Sequence, residues 1–188
     1  WKETKKNNLA GKLLIINQSA VNANNSRFAR VTVNASKGDY ILSNEGFRGM
    51  GFHKEKQYIF SVMLKGEQAA NLKINIQLVN TTGKIIGAAV LDNFSSDPIA
   101  TGWKRYTASL ITTDTAQKGK LQLLFEGEGV IDMDMVSLFP EDTWKKRPNG
   151  LRNDLVQMIA DLKPGFIRFP GGCIVEGRDL NNRYQWKT

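Results

Sequence analysis

The clearest hydrophobic pattern in the chain is a strict alternation of apolar and polar residues between positions 72 and 78. Leu72, Ile74, Ile76 and Leu78 are apolar, and polar residues stand between them. Because the side chains of a β-strand point alternately to opposite faces, this pattern predicts a strand with one buried and one wet face. A similar β-type composition predicts further strands at 12–16, 28–33, 58–64, 84–91, 103–111, 120–125 and 130–138.

Short segments rich in Gly, Asn, Ser and Pro separate these runs. They fall at 80–83, 95–98, 101–102 and 126–129. A spacing of about 8 to 12 residues between turn signals is typical of an all-β sandwich. The pattern therefore predicts about nine or ten antiparallel strands in two sheets, and a jelly-roll accounts best for the long crossing at 92–102.

The periodicity changes after Phe139 and Pro140. Asn149 is the predicted N-cap of a helix that ends at 163–165, and its apolar residues follow at helical spacing: Leu151, Leu155, Met158, Ile159 and Leu162. A short apolar strand is predicted at 166–169, before a Pro-Gly-Gly turn. The sequence thus predicts a mainly β protein with a sandwich at 1–143 and a partial α/β segment at 144–188, too small to bury a core alone.

Composition and charge narrow the classes of function. The chain has 188 residues and a net charge of +8, with 17 Lys and Arg against 14 Asp and Glu in 1–143, and 9 against 4 in 144–188. The basic residues of the second part are scattered, whereas binding to several phosphates needs a contiguous basic surface, so nucleic acid is not the expected partner. No apolar run reaches the roughly 18 residues of a membrane span, and the opening residues lack the apolar core of a signal peptide.

Cys173 is the single cysteine, and it directly follows the Pro-Gly-Gly turn. In α/β folds, the loop that leaves the carboxyl end of a strand faces the active site. Cys173 is therefore a candidate site residue, and a small buried cysteine beneath a loop is the alternative. His53 is the single histidine and stands at a predicted turn, so neither a Ser-His-Asp triad nor a His-rich metal site is expected in this chain.

Asp132 and Asp134 alternate with apolar residues, so both are expected on one face of a strand. Two unpaired carboxylates there would repel each other. A calcium ion held by Asp134 would relieve the repulsion, since Ca²⁺ prefers hard oxygen ligands, and a solvated face is the alternative.

Two aromatic residues are candidates for stacking on sugar rings. Trp103 opens a predicted strand, where it either seals the sandwich or offers a binding platform, and Phe47 stands in the segment Gly-Phe-Arg-Gly-Met at 46–50. The sequence leaves both interpretations open.

The segment 151–177, LRNDLVQMIADLKPGFIRFPGGCIVEG, followed by Tyr184-Gln-Trp186, closely resembles the early barrel segment of α-L-arabinofuranosidases of glycoside hydrolase family 51. Residues 1–143 are similar, more loosely, to the sandwich that larger members carry before that segment, a domain like carbohydrate-binding modules of families 4 and 9. The similar stretches are 46–50, 103–106 and 131–138. Arg48 stands where relatives often have an aromatic residue, which weighs against stacking at this loop.

The resemblance implies a retaining hydrolase that removes terminal α-L-arabinofuranosyl groups from plant-type polysaccharides in a (β/α)₈ barrel. It places Cys173 in the arabinose subsite and both catalytic glutamates beyond Thr188, so the chain alone is expected to be inactive. Glu176 receives no catalytic role. The resemblance also implies a secreted or periplasmic protein that requires no cofactor, and its partners are an arabinose-containing glycan and the remainder of the barrel.

Two other classes of function stay open from the residues. The sandwich could act alone as a carbohydrate-binding module through Phe47 and Trp103, or it could have a purely structural role. Binding to arabinan, arabinoxylan or xylan would distinguish these classes.

Overall fold

The computed structural model describes residues 1–22, 25–68, 71–92 and 102–166, together with 168, 172, 175, 177–179 and 181–182. Within these residues there are nine strands, a short 3₁₀ turn at Trp144–Lys146 and one α-helix, α1 (Asn153–Asp161). The strands are β1 (Lys2–Lys5), β2 (Gly11–Asn22), β3 (Asn25–Asn44), β4 (Met50–Phe52), β5 (Gln57–Gln68), β6 (Lys73–Val79), β7 (Ile85–Leu91), β8 (Lys104–Ile111) and β9 (Ala116–Pro140).

Two long strands, β3 and β9, organise the fold because each pairs with different neighbours along its two halves. Residues 40–44 of β3 pair with 121–125 of β9, and this half also carries β1, β6 and, through β6, β7. Residues 29–35 of β3 pair with 127–133 of β9, and this half carries β2, β5 and, through β5, β8. All pairings between the described strands are antiparallel. The register of β3 against β9 shifts between the two halves, so β3 and β9 join two layers, which confirms the predicted mainly β, jelly-roll-type sandwich.

The segment Glu126–Gly129, predicted as a turn, is instead a bend inside β9, and that prediction was wrong. Gly127 and Gly129 have φ angles of 108° and 156°, and the register of β3 shifts between Ala35 and Tyr40 at the same level. Glycine tolerates positive φ, so the strand changes direction without ending. The predicted strands 120–125 and 130–138 are therefore one strand.

A single core lies between the layers. The inward residues of the first layer include Leu42, Ile76 and Phe125, and those of the second include Val31 and Phe60; all five are at most 1% exposed. The alternation in β6 buries Ile74, Ile76 and Leu78 as predicted. The opposite face is only partly wet, because Asn75 is buried and donates a hydrogen bond to Glu126.

The helix begins later than predicted. Its N-cap is Arg152, without a side-chain capping bond, whereas Asn149 has a φ of 54° and lies in the preceding turn. Phe166 and Arg168, the described members of the predicted strand 166–169, are not in a strand, because parallel barrel strands form only beside neighbours and no other strand of the described chain pairs here. Among the described residues, no helix is long and apolar enough to cross a membrane.

Candidate functional site

Cys173, the residue that the resemblance places in the sugar subsite, lies outside the described residues. The structure therefore leaves its role a prediction. The remaining candidates, Phe47, Trp103 and Asp134, all lie on the sandwich and can be located.

Phe47 lies in the loop between β3 and β4 and is 94% exposed. The loop is held from both sides: the side chain of Asn44 accepts a hydrogen bond from the backbone N–H of Gly46, and Gly49 lies against the backbone of Lys118. The Arg48 guanidinium carbon stands 5.5 Å from the centre of the Phe47 ring. Most of the ring nevertheless stays accessible, as a stacking platform requires.

A cleft of about 380 Å³ surrounds this loop. Besides Phe47 and Arg48, its lining includes Asn80 from the turn after β6, and Lys118 and Lys120 from the start of β9. This volume is within the range of small-ligand sites, roughly 300 to 1,000 Å³. The structure thus gives Phe47 a polar, positively charged surrounding that the sequence alone did not reveal.

Trp103 has a different environment. Its ring meets the ring of Phe28 edge to face, with centroids 5.3 Å apart, and Trp103 is half-buried while Phe28 is buried. An edge-to-face aromatic pair of this kind contributes to packing. The geometry favours the sealing role of Trp103 over the binding platform.

Phe47 and Trp103 do not share a site. The loop of Phe47 lies beside residues 118–120 of β9. Trp103 precedes Lys104, which pairs with Leu64, and Leu64 in turn pairs with Met133 in the second half of β9. A glycan contact by both aromatic side chains in one subsite is therefore not supported.

Asp132 is not an unpaired carboxylate. It is buried and forms two charge-assisted hydrogen bonds with Arg30, its partner across β3 and β9. The expected repulsion with Asp134 is thereby relieved by a cation of the protein itself. One oxygen of Asp134 accepts the N–H of Met135, and the other is buried without a hydrogen-bond partner in the described part of the chain.

The described residues contain no group of three or more His, Cys, Asp or Glu side chains that could hold a metal ion. Calcium usually takes roughly six to eight oxygen ligands. Calcium at Asp134 would therefore need backbone carbonyls and waters for nearly all its ligands, and it stays a prediction.

A larger cleft, about 740 Å³, lies between the end of the sandwich and α1. Its charged groups are paired with each other: Lys56 Nζ lies 3.0 Å from Asp142 Oδ2, and Arg152 Nη2 lies 2.5 Å from Asp154 Oδ2. The guanidinium of Arg152 lowers the pKa of the Asp154 carboxyl, and Asp154 raises the pKa of Arg152. This cleft offers a ligand fewer unsatisfied charges than the cleft at Phe47.

Comparison with known proteins shows what this chain is similar to. The family model for the Alpha-L-arabinofuranosidase 1 domain matches residues 158–188, from within α1 through the segment that contains Cys173. An extracellular exo-alpha-L-arabinofuranosidase of Streptomyces chartreusis is 34% identical over 158 residues, which cover 78% of this chain and 18% of that protein. Alpha-L-arabinofuranosidase 1 of Arabidopsis thaliana is 35% identical over 150 residues, 80% of this chain and 21% of that one.

Among solved structures, an arabinose-bound α-L-arabinofuranosidase of glycoside hydrolase family 51 superposes with a TM-score of 0.79 and 25% identity, covering 98% of this chain and 30% of that one. The chain is a segment related to the family 51 α-L-arabinofuranosidases. It spans about a fifth of the length of the curated relatives that it matches. The resemblance found in the sequence of this arabinofuranosidase-related segment is therefore confirmed, and its extent is limited to one part of such proteins.

Proposed function

We propose that this chain is one part of an exported α-L-arabinofuranosidase that hydrolyses terminal α-L-arabinofuranosyl residues of plant-type polysaccharides with retention. The superposition of 98% of the chain on an arabinose-bound family 51 enzyme carries the proposal. The 34% identity to an extracellular exo-enzyme of Streptomyces supports both the activity and the export.

In this proposal, residues 1–143 are an ancillary sandwich and residues 144–188 begin the catalytic barrel. The exposed apolar face of α1 supports the division, since Leu155, Met158 and Ile159 are 48%, 67% and 52% exposed. An amphipathic helix stabilises itself by packing such a stripe against a neighbouring layer. The remainder of a barrel would supply that layer.

Retention requires two carboxyl groups about 5 to 5.5 Å apart, one as nucleophile and one as acid and base. We assign both to the remainder of the barrel rather than to this chain. Such chemistry uses side chains alone, so the proposed activity requires no cofactor. Cys173 is assigned a contact with the arabinose ring, in the segment that the family model matches.

The test compares the 188-residue chain with the protein encoded by its complete reading frame, using an aryl α-L-arabinofuranoside. We expect hydrolysis by the longer protein, with retention seen by NMR of the first-formed anomer, and none by the chain. In the longer protein, Cys173→Ser should raise KM by about tenfold, corresponding to roughly 1.4 kcal/mol of lost binding, while Lys37→Gln at an exposed position should change nothing.

Hydrolysis by the chain alone would show that its catalytic groups lie within these residues. Absence of activity in the longer protein toward α-L-arabinofuranosides would reject the proposed reaction.

A second function, a carbohydrate-binding module acting alone, is favoured by one observation, the accessible Phe47 in its cleft.

A further inference from the structure

The cleft at Phe47 brings together three cations that are distant in sequence. Arg48 comes from the β3–β4 loop, and Lys118 and Lys120 come from the start of β9. A Cβ atom at Gly49 would lie 2.7 Å from the Cα atom of Lys118, so the loop rests directly on this strand. The fold therefore holds these three positive side chains at one small surface.

Another part of the lining, Asn80 and Thr81, belongs to the turn after β6, which is internally hydrogen-bonded. The side-chain oxygen of Asn80 accepts hydrogen bonds from the backbone N–H groups of Thr82 and Lys84, at 3.0 and 2.9 Å, and from the Thr82 hydroxyl. Val79 pairs with Lys120, which fixes this turn beside β9. A site that is already ordered loses little entropy when a ligand binds.

The positive charges at this cleft are not neutralised by the protein. Within the described part of the chain, Arg48, Lys118 and Lys120 form no ion pair, and neither does Glu45, the one carboxylate in the lining. Like charges held close together repel, and an anionic ligand would remove that repulsion. With Glu45 included, the lining retains a net positive charge.

We infer that this cleft binds an acidic glycan, through stacking of a sugar ring on Phe47 and contact of a uronate carboxylate with Arg48, Lys118 and Lys120. An aromatic face matches the apolar face of a pyranose ring, and a guanidinium matches a carboxylate in a two-point hydrogen bond. Arg48 stands where relatives often have an aromatic residue, and this weighs against stacking of a neutral sugar. In this cleft Arg48 instead becomes a specificity-determining residue for an acidic sugar.

A nucleic acid is the less favoured occupant. Single-stranded nucleic acids are bound by grooves that follow several phosphates with several stacking aromatic residues. Here a cleft of about 380 Å³ contains one aromatic side chain and three cations. These features fit one or two acidic sugar units better than a nucleic-acid backbone with several phosphates.

The inference rests on the proposed function only for the choice of glycans as the ligand class. The two remain separable, because one is tested by hydrolysis of α-L-arabinofuranosides and the other by binding alone. The sandwich would then bind the acidic backbone of a polysaccharide, and the neutral arabinosyl groups would be left to the catalytic part.

The experiment is isothermal titration of the 188-residue chain with a short oligogalacturonate, with a neutral arabino-oligosaccharide and a single-stranded DNA oligonucleotide of equal charge as comparisons. We expect the oligogalacturonate to bind at least about tenfold more tightly than the neutral sugar and the oligonucleotide. Binding should weaken as salt is added, because the cations are at the surface.

Variants locate the site. Phe47→Ala and the double variant Arg48→Gln, Lys118→Gln should each weaken oligogalacturonate binding by about tenfold, a free-energy change of about 1.4 kcal/mol. Lys37→Gln removes one exposed charge outside the cleft and should leave affinity within about twofold. Circular dichroism melting curves establish that each variant is folded.

Three results would overturn the inference. Equal affinity for the neutral and acidic oligosaccharides would remove the role of the cations. Tighter binding of the oligonucleotide would assign the cleft to nucleic acid. An equal loss of affinity in Lys37→Gln and in the cleft variants would show diffuse charge attraction without a site.

Discussion

Arg30 of β3 and Asp132 of β9 form a two-point ion pair across the two strands that join the layers. The distance is 2.7 Å between Arg30 Nε and Asp132 Oδ1, and 2.8 Å between Arg30 Nη2 and Asp132 Oδ2. The Asp132 side chain is 7% exposed, while the Arg30 side chain is 43% exposed. The pair neutralises a buried carboxylate within the second layer, where β3 pairs with β9.

Replacing Arg30 by Met should destabilise the protein by about 2 kcal/mol. Loss of one partner from a buried pair costs roughly 3 to 5 kcal/mol, and the partial exposure of Arg30 reduces that figure. Arg27→Met, on the same strand but exposed and outside any ion pair of the described residues, should change stability by less than about 0.5 kcal/mol. Urea unfolding measures the stability of both variants. Equal losses of stability in Arg30→Met and Arg27→Met would show that the Arg30–Asp132 ion pair contributes nothing specific.

This pair also shows the limit of what the sequence could predict. The alternation of Asp132 and Asp134 with Ile131, Met133 and Met135 holds only in part, since Ile131 and Met133 are in the core but Met135 is 44% exposed and Asp132 is buried. Arg30 is 102 positions away, and a strand pattern carries no information about its partner. Arg30 therefore relieves the Asp132–Asp134 repulsion from which calcium was predicted, and the pattern of one strand could not reveal this.

Strand position was predictable where apolar and polar residues alternate, as in β6, and where β-branched, aromatic and aliphatic residues run together, as in β5 and β7. The short edge strands β1 and β4 were missed, because Lys2–Lys5 has no apolar face and Met50–Phe52 is too short to show a period. Such strands are defined by the partner that they join. The cleft cations were missed for the same reason: they meet through pairings of β4 and β6 with β9.

Gly127 in β9 should tolerate substitution much less well than Gly38 in β3. A Cβ atom at Gly127 would collide with the backbone oxygen of Asn71, and the φ angle of Gly127 is 108°. Gly38 also has a positive φ, 89°, but a Cβ atom there would have no neighbour within 4 Å. Alanine at Gly38 should therefore cost about 1 kcal/mol from backbone strain alone.

Alanine at Gly127 should cost about 3 kcal/mol or more, since the backbone must also move. Thermal unfolding of the two variants gives the comparison. Similar losses at both positions would show that the bend of β9 adjusts easily, contrary to its role in joining the layers.

The hydrogen bond from Tyr40 to Glu3 should make stability depend on pH at both extremes. The Tyr40 hydroxyl donates to Glu3 Oε1 at 2.7 Å, which lowers the pKa of Glu3 below its usual 4.5, with Lys5 adding to the effect and burial opposing it. Burial, followed by the bond to Glu3, raises the pKa of Tyr40 far above its usual 10.0.

The direction of each pH effect on stability follows from the linkage between proton binding and folding. The Glu3 contribution is present above pH 4.5 and is lost as the pH falls through the lowered value. The Tyr40 contribution is complete below pH 10.0 and is lost as the pH rises through the raised value. Tyr40→Phe should therefore cost about 1 kcal/mol near neutral pH and less at about pH 3.

Urea unfolding at the two pH values measures the difference. Glu45→Gln is the control, because this exposed carboxylate forms no ion pair within the described residues. This substitution should leave the free energy of unfolding unchanged at both pH values. A constant loss in Tyr40→Phe at both pH values would show that the hydroxyl acts without the ionised carboxylate.

Removal of calcium should leave the melting temperature unchanged. Arg30 already neutralises Asp132, and Asp134 is then the carboxylate left on that face, with one oxygen engaged by Met135. Scanning calorimetry with excess EDTA and with added calcium tests this expectation. A rise in melting temperature with calcium that disappears in Asp134→Asn would instead establish the ion that the sequence pattern suggested.

Phe47 and Trp103 should differ sharply in their effect on stability. Trp103 is half-buried against Phe28, with ring centres 5.3 Å apart, so Trp103→Ala should destabilise the protein by about 2 kcal/mol through lost burial and ring contact. Phe47 is 94% exposed, so Phe47→Ala should change stability by less than about 0.5 kcal/mol.

Thermal unfolding of both variants separates a structural aromatic residue from one that is free to bind a ligand. Asn44 and Gly49 hold the loop that carries Phe47. The loop is therefore ordered without any contribution from the Phe47 ring. A large loss of stability in Phe47→Ala would mean that the ring packs against the protein in solution, and its assignment as a sugar platform would then fail.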